Sequence, residues 1–452
     1  MQKLLDWWER GIVIALCLSV SLLGIGRLAA PVSGVSVSAW SISRTTFFFW
    51  LILKLVNVAR SGWTWPASRH WRSLAPLGAF FFVATFSLLP EFRFTGDYRY
   101  FFFGCAHAVM LVDVFSSSSL RSRLPVLLGA LPLVLVARGL ADNPALFHFN
   151  LDYRFGFPLD HPNSAGYLLA MSLPLGIFVA SAAPHRWRIL GLWSCAAQAF
   201  ALVLTFSRGA WLGALAAITY MAVAQRQWKY LVLLTIITMV CLLVFPSIFT
   251  RLVSISRPLD DESIRDRVQL ITSSLELGLE HPVLGVGYGR GRLKASLRSH
   301  LRGTVIEDSP IWHTHNVYVE LFAETGFTGL AVFLWFAGMT LLRVACAARQ
   351  RVGIERLLGA AIGAAWIGAM VAGVGDVPFY HHDVRIYFFT LFAVAQLYAG
   401  GAGMTESGMD HFQSVPDARL PTPLRESPGN PSALSPVGLL FFTRGEKCYD
   451  RR

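Results

Sequence analysis

The sequence predicts an all-α polytopic membrane protein of about 12 transmembrane helices. Three observations carry that prediction. Apolar blocks recur from residue 11 to residue 400. The 452 residues are 54% hydrophobic and 15% charged, with a mean hydropathy of +0.51, too little charge to cover a soluble surface. Basic residues collect in alternate short loops, as cytoplasmic loops of such proteins do.

A spanning helix needs roughly 20 apolar residues. The predicted spans are 11–30, 37–57, 74–90, 99–117, 123–140, 163–182, 188–205, 208–224, 229–248, 317–343, 357–374 and 384–400. The first reads as an uncleaved helix. The pair 188–205 and 208–224, separated by Phe206 and Ser207, predicts a tight helical hairpin. Lys3, Arg10, Arg60, Arg121, Arg226 and Arg349 fall on one side of this arrangement. That asymmetry predicts cytoplasmic termini and an extracytoplasmic loop over 250–314, between the ninth and tenth spans. The transmembrane domain then covers residues 1–400. The tail 401–452, rich in Pro, Ser, Gly and charge, is expected to be disordered and cytoplasmic.

Within the loop, Ile264, Val268, Ile271, Leu275 and Leu279 recur at helical spacing. They predict a helix lying on the membrane surface. Pro282 ends it, and the glycines at 285, 287, 289 and 291 predict a turn-rich segment. The net charge of +12 is explained by cytoplasmic Lys and Arg, which argues against nucleic-acid binding. Five of the six cysteines sit in apolar blocks, with no disulfide or zinc spacing.

Five constellations can carry chemistry. His313 and His315, with Asn316, open the tenth span, where free amides favour a neutral imidazole able to act as a base. The bland reading is an interfacial polar edge. His313 is expected in extended chain, so that both rings line one face. Arg208 opens the eighth span, and Arg265 and Arg267 open the loop helix. Guanidinium groups grip phosphates bidentately, so converging arginines suit a pyrophosphate. Snorkelling or a solvated helix face is the competing reading. Glu280 to Gly289 holds a Gly-x-Gly-x-Gly run without the strand and helix of a nucleotide site, so a close-packed turn is expected. Asp160 to Gly166 contains Asn163 and Ser164, which can simply cap a helix. The stretch from Gly375 and Asp376 to His381, His382, Asp383 and Arg385 hints at a metal, but its spacing fits no known ligand set, and no metal is predicted. All five groups fall on the same predicted outer side.

Those residues carry a resemblance. His315-Asn316, nine residues, then Gly326-x-x-Gly329 resembles the signature of the bacterial O-antigen ligase and polymerase family. The run from Arg267 through His281-Pro282 to Gly289 is similar to the family's preceding stretch. So are Ser207-Arg208-Gly209 and His161-Pro162-Asn163, and together these cover roughly residues 150 to 400. The resemblance implies a GT-C-like helical fold and a glycan donor on undecaprenyl pyrophosphate. It implies transfer on the periplasmic face of the inner membrane, with no metal or other cofactor. The acceptor is lipid A-core for a ligase and another lipid-linked glycan for a polymerase. By carry-over, His315 is the base, Arg208 and Arg267 hold the pyrophosphate with Arg265 as a further candidate, and Asn316, Gly326, Gly329 and Asn163 support the site. His313 lies two residues before the family's histidine and competes for the role of base. Protein O-glycosylation is a further option within the family. A transporter would favour paired half-domains and charged midplane residues in broken helices; the sequence shows neither an internal repeat nor acidic midplane pairs.

Overall fold

The computed structural model describes residues 2–22, 28–29, 36–61, 72–89, 96–116, 118–143, 146, 154–156, 159, 161–182, 185–228, 232, 262–301, 313–377 and 381–401. The chain divides into Met1–Thr405 and Glu406–Arg452. Apart from residues 401 and 232, the predicted disordered tail and the predicted span 229–248 lie outside the described residues.

Among the described residues the architecture is helical. The helices are α1 (Gln2–Leu22), α2 (Ala39–Ser61), α3 (Ala75–Phe86), α4 (Gly96–Phe115), α5 (Arg123–Asp142), α6 (Pro162–Ala182), α7 (His185–Leu204) and α8 (Arg208–Gln225). They continue with α9 (Glu262–Glu280), α10 (Arg290–His300), α11 (Val317–Arg349), α12 (Gly353–Ala372) and α13 (His382–Ala399). A two-residue antiparallel pair, Leu28–Ala29 with Ser36–Val37, is the one exception. Stretches in α2, α5, α6, α11 and α12 are long and apolar enough to cross a membrane. Phe48, Ile52, Phe82, Leu212 and Trp335 face outward while a continuous apolar core lies between the helices. Apolar inside and out is the pattern of a helix bundle in lipid, and the protein is a polytopic membrane protein.

Eleven of the predicted spans coincide with described helices, and four expectations are corrected. Helix α1 is shifted toward the N-terminus: it begins at Gln2, nine residues before its predicted start, because the charged segment up to Arg10 is itself helical, and it ends at Leu22, with Leu28–Ala29 of the predicted span in a strand. The predicted tight hairpin is open: Phe206 takes a positive φ of 49°, and α7 packs on α5 and α6 while α8 packs on α6 and α12. The loop has the expected turns over 282–289, and a second helix, α10, follows them; Leu293 and Leu297 bury against Leu270, Leu277 and Ala323. The apolar stripe read in α9 is its open face, with Leu279 64% exposed, and the packed face is Leu270, Ser274 and Leu277.

Small residues decide how the bundle closes around the site. Gly209, Gly213 and Ala217 recur every four residues on α8 and meet Gly368 and Ala372 of α12. A Cβ at Gly213 would stand 2.6 Å from the Gly368 carbonyl, so only glycine permits this approach. The contact seats the start of α8, with Arg208, against Gly375 just beyond α12.

Candidate functional site

The site is built where the starts of α6, α8, α11 and α13 meet the end of α12. Its centre is Asp376, a carboxylate with only 1% exposure. One oxygen, Oδ2, accepts from Asn163 Nδ2 at 2.6 Å. The other, Oδ1, accepts from His313 Nε2 at 2.6 Å and from the Val377 amide at 2.8 Å. His315 Nδ1 stands 3.4 Å from the same Oδ1. A buried carboxylate survives only with such a set of donors.

The two histidines reach one carboxylate because Thr314 is tied down behind them. The Thr314 amide and hydroxyl donate to Glu320, a carboxylate buried one turn into α11, at 2.7 and 3.1 Å. Thr314 therefore points into the helix and its neighbours point away, their ring centroids 4.1 Å apart. The shared face was expected from extended chain, but His315 adopts φ 56°, in the left-handed region that His tolerates better than most residues. Asn316 then caps α11, accepting from Tyr318 N at 3.0 Å and Val319 N at 3.2 Å. The Val317 amide goes to the Gly373 carbonyl at 2.9 Å. These amides are spent on the cap and on α12, so Asp376, rather than free N–H groups, sets the electrostatics at the histidines.

Burial pushes the His313 ring below the usual imidazole range, against the pull of Asp376. At neutral pH it is uncharged, with one N–H given to Asp376 and Nδ1 left as a buried atom with no hydrogen-bond partner among the described residues. Burial alone would raise the Asp376 carboxyl, but the contacts with His313 and His315 outweigh it and hold the group well below its ordinary value. Behind it, His161 and His381 stack at 5.9 Å and 17°. Burial lowers both rings, His381 to about 3.

Asn163 is not the cap the sequence suggested. His161 Nδ1 accepts the Asn163 amide at 3.2 Å, which frees the Asn163 side chain. It joins Asp376 to Arg154, whose Nη2 donates to Asn163 Oδ1 at 3.1 Å and whose Nε donates to the Thr205 carbonyl at 2.8 Å. Arg267 reaches the same centre through a long contact, Nη1 to the Gly375 carbonyl at 3.4 Å. Its Nε is buried with no hydrogen-bond partner among the described residues. Arg265 is exposed on the far side of α9.

Gly326 and Gly329 act at a distance. Gly326 (φ 66°, ψ −169°) breaks the helical path of α11. A Cβ there would overlap the Val283 backbone, and one at Gly285 would overlap that of Glu324 and Thr325. The two segments interlock through Val286 N to Ala323 O at 3.0 Å, Gly287 N to Glu324 O at 2.9 Å and Phe327 N to Pro282 O at 2.7 Å. A Cβ at Gly329 would collide with Thr325. The glycine run is a backbone clasp between the loop and α11, as its composition suggested.

His313, His315 and Asp376 are the one group among the described residues with metal-ligand potential, their ligand atoms within 4.8 Å of one another. The 2.6 Å separation of His313 Nε2 and Asp376 Oδ1 is a hydrogen bond. Ligand atoms on a tetrahedral zinc at ~2.1 Å stand roughly 3.4 Å apart. The cluster thus fits a proton-handling pair better than a prepared ligand set. His381 and His382 diverge: His382 packs on Tyr100, with ring centroids 3.7 Å apart, while His381 faces His161.

Sequence reasoning passed over Asp376, Arg154 and Glu320. Asp376 stood inside a noted stretch, but nothing local marks it as the partner of residues 63 positions away.

An all-helical membrane protein with a His–Asp cluster at its helix ends is the class this geometry defines. Residues 193–334 match the family model described as O-antigen ligase. The resemblance read from the sequence is borne out over that stretch. The matched stretch contains both histidines and the three arginines but not Asp376, Asn163 or Arg154. No curated protein matches the chain.

Proposed function

We propose that the protein transfers a glycan from undecaprenyl pyrophosphate to lipid A-core on the periplasmic face of the inner membrane, with both termini cytoplasmic. The observation that carries this reading is the contact of His315 Nδ1 with the ionised Asp376 carboxylate at 3.4 Å. The contact is electrostatic, since Nδ1 has no hydrogen-bond partner among the described residues; it turns that nitrogen toward the carboxylate and leaves Nε2 for substrate.

In this mechanism His315 Nε2 takes the proton of an acceptor hydroxyl. The hydroxyl oxygen attacks the anomeric carbon of the donor glycan as the bond to the pyrophosphate oxygen breaks. Asp376 stabilises the imidazolium that forms, and the proton then passes to solvent. Arg208 and Arg267 neutralise the departing undecaprenyl pyrophosphate, the larger electrostatic demand of the step. No step draws on a metal. His313, whose acceptor nitrogen is buried, holds Asp376 in register rather than meeting substrate.

A glycolipid gel of a deletion strain tests the assignment. Loss of all polymer from lipid A, with lipid-linked polymer retained, is the expected result. A single repeat left on the core assigns repeat-unit polymerisation instead, with the same donor and the same base.

A further inference from the structure

The starts of α2 and α4 form a second feature that the transfer chemistry above does not use. An open groove of about 480 Å³ lies between them, with Arg44 and Arg99 among its lining residues. Both arginines are exposed, and among the described residues neither has an ion-pair partner. The rest of the groove is apolar, chiefly Phe48, Phe49, Ile52 and Phe103. From Arg44 to Ile52 is eight residues of helix, or roughly 12 Å of apolar strip beneath a cationic rim.

The groove opens at the same end of the bundle as the His–Asp cluster. Trp40, one turn before Arg44, lies against Tyr100 at 4.7 Å and stacks on His382 at 6.5 Å and 25°. Arg385 places its guanidinium 5.7 Å from the Tyr100 ring and donates a long bond to the Asp97 carbonyl. His382 adjoins His381, which stacks on His161 beside Asn163. One layer of rings and cations thus runs from the rim of the groove to Asp376.

We propose that this groove docks the acceptor: an acylated, phosphate-bearing glycolipid, with its phosphate on Arg44 and Arg99 and an acyl chain along Phe48, Phe49 and Ile52. The inference rests on the transfer reading above. There Arg208 and Arg267 take the donor's pyrophosphate, and a lipid acceptor must arrive from the membrane by another route. Charge complementarity supports this occupant. Two guanidinium groups with no carboxylate partner among the described residues suit a phosphate, and an apolar strip below them suits an acyl chain. A bilayer headgroup gathered by snorkelling arginines is the rival occupant.

The test uses the full chain in phosphatidylcholine nanodiscs, with lipid A-core as the probe and the same glycolipid stripped of phosphate as its control. Equilibrium binding is measured first, so that the result does not depend on transfer. Arg44→Gln and Arg99→Gln should each weaken binding of the phosphorylated probe about tenfold. Lysine at either position should weaken it less, and the stripped probe should bind all variants alike. With undecaprenyl-pyrophosphate-linked glycan added, the acceptor KM should rise by the same factor while kcat and the donor KM hold. Three results overturn the proposal: unchanged probe binding in the double Gln variant, equal competition by phosphatidylglycerol, or a rise in donor KM in place of acceptor KM. Normal probe binding and normal variant effects without any transfer would refute the transfer reading and leave the groove assignment standing.

Discussion

The side chain of Asn163 donates to Asp376 at 2.6 Å, across 213 residues of sequence, and its carbonyl takes the Arg154 guanidinium. The start of α6 is thereby bonded to the segment that follows α12, and the carboxylate facing the two histidines is fixed from behind. Asp376→Asn keeps the size of the side chain and removes the charge that an imidazolium at His315 needs. The expected loss in kcat is roughly 10²- to 10⁴-fold, with donor binding kept. Asn163→Ala leaves the charge and releases its anchor, so a smaller loss is expected. Single-turnover transfer by the purified variants is the measurement, and equal losses would show that Asn163 does more than hold Asp376.

The two histidines are predicted to separate in the same assay. His315 is 24% exposed and His313 is 12% exposed with its free nitrogen buried, so substrate reaches the first more readily. His315→Ala should lose roughly 10²- to 10⁴-fold with donor binding intact. His313→Ala should lose much less. His313 makes the shorter bond to Asp376, however. A greater loss on its removal would move the role of base from His315 to His313.

The arginines divide by position. Arg267 meets the Gly375 carbonyl and Arg265 faces outward. Arg267→Ala should abolish transfer while the protein still inserts. Arg267→Lys should rescue poorly, because a point charge does not reproduce a planar fork. Arg265→Ala should stay near normal. Donor binding with a labelled polyprenyl pyrophosphate checks all three, and a donor defect confined to Arg265→Ala would reverse the assignment.

Much of this was legible in the sequence because it is local. Apolar runs of membrane length mark helices whatever they pack against, and His315-Asn316 with Gly326 and Gly329 forms a contiguous signature. What local pattern could not carry was pairing. The α9 stripe at Val268, Leu275 and Leu279 was correctly helical, yet its open side and its packed side could not be told apart, since Leu270 and Leu277 supply a second stripe. Asp376 was invisible as a centre because its partners come from α6 and from the strand of residues before α11. Helix α10 was missed because Arg290, Arg292, Lys294 and Arg298 dilute its apolar spacing, leaving only Leu293, Leu297 and Leu301 to bury.

Gly326 gives a prediction about the fold. Its φ of 66° is unfavourable for any residue with a Cβ, and the Val283 backbone occupies the place that a Cβ would take. Backbone on the far side cannot swing away as a side chain can. Gly326→Ala should therefore cost about 1–3 kcal/mol or more in stability. Because the clasp joins the loop carrying Arg267 to the helix that His315 precedes, transfer should fall as well. Gly338→Ala, where nothing lies within 4 Å of the new Cβ, is the control and should be near neutral. Thermal unfolding in detergent compares the two.

The stacked pair of His161 and His381 predicts how stability responds to acid. Burial is the main cause of the low His381 value, about 3 against an ordinary 6.5; the neighbouring Arg290, His161 and His313 add to it and Asp376 opposes it. Burial lowers His161 and His313 in the same direction. Between pH 6.5 and 3 the unfolded chain therefore binds a proton at residue 381 that the folded chain does not. Unfolding takes up protons over that window, so stability is full above about pH 6.5 and falls as the pH drops toward 3. Asp376 adds nothing to the upper part of this fall, because well above the ordinary carboxyl range it is ionised in the folded and the unfolded chain alike. The midpoint of thermal unfolding should thus decline between pH 7 and pH 4. His381→Gln, which cannot take up a proton in either state, should make that decline shallower. The same slope in wild type and His381→Gln would show that the ring is charged, or solvated, in the folded protein.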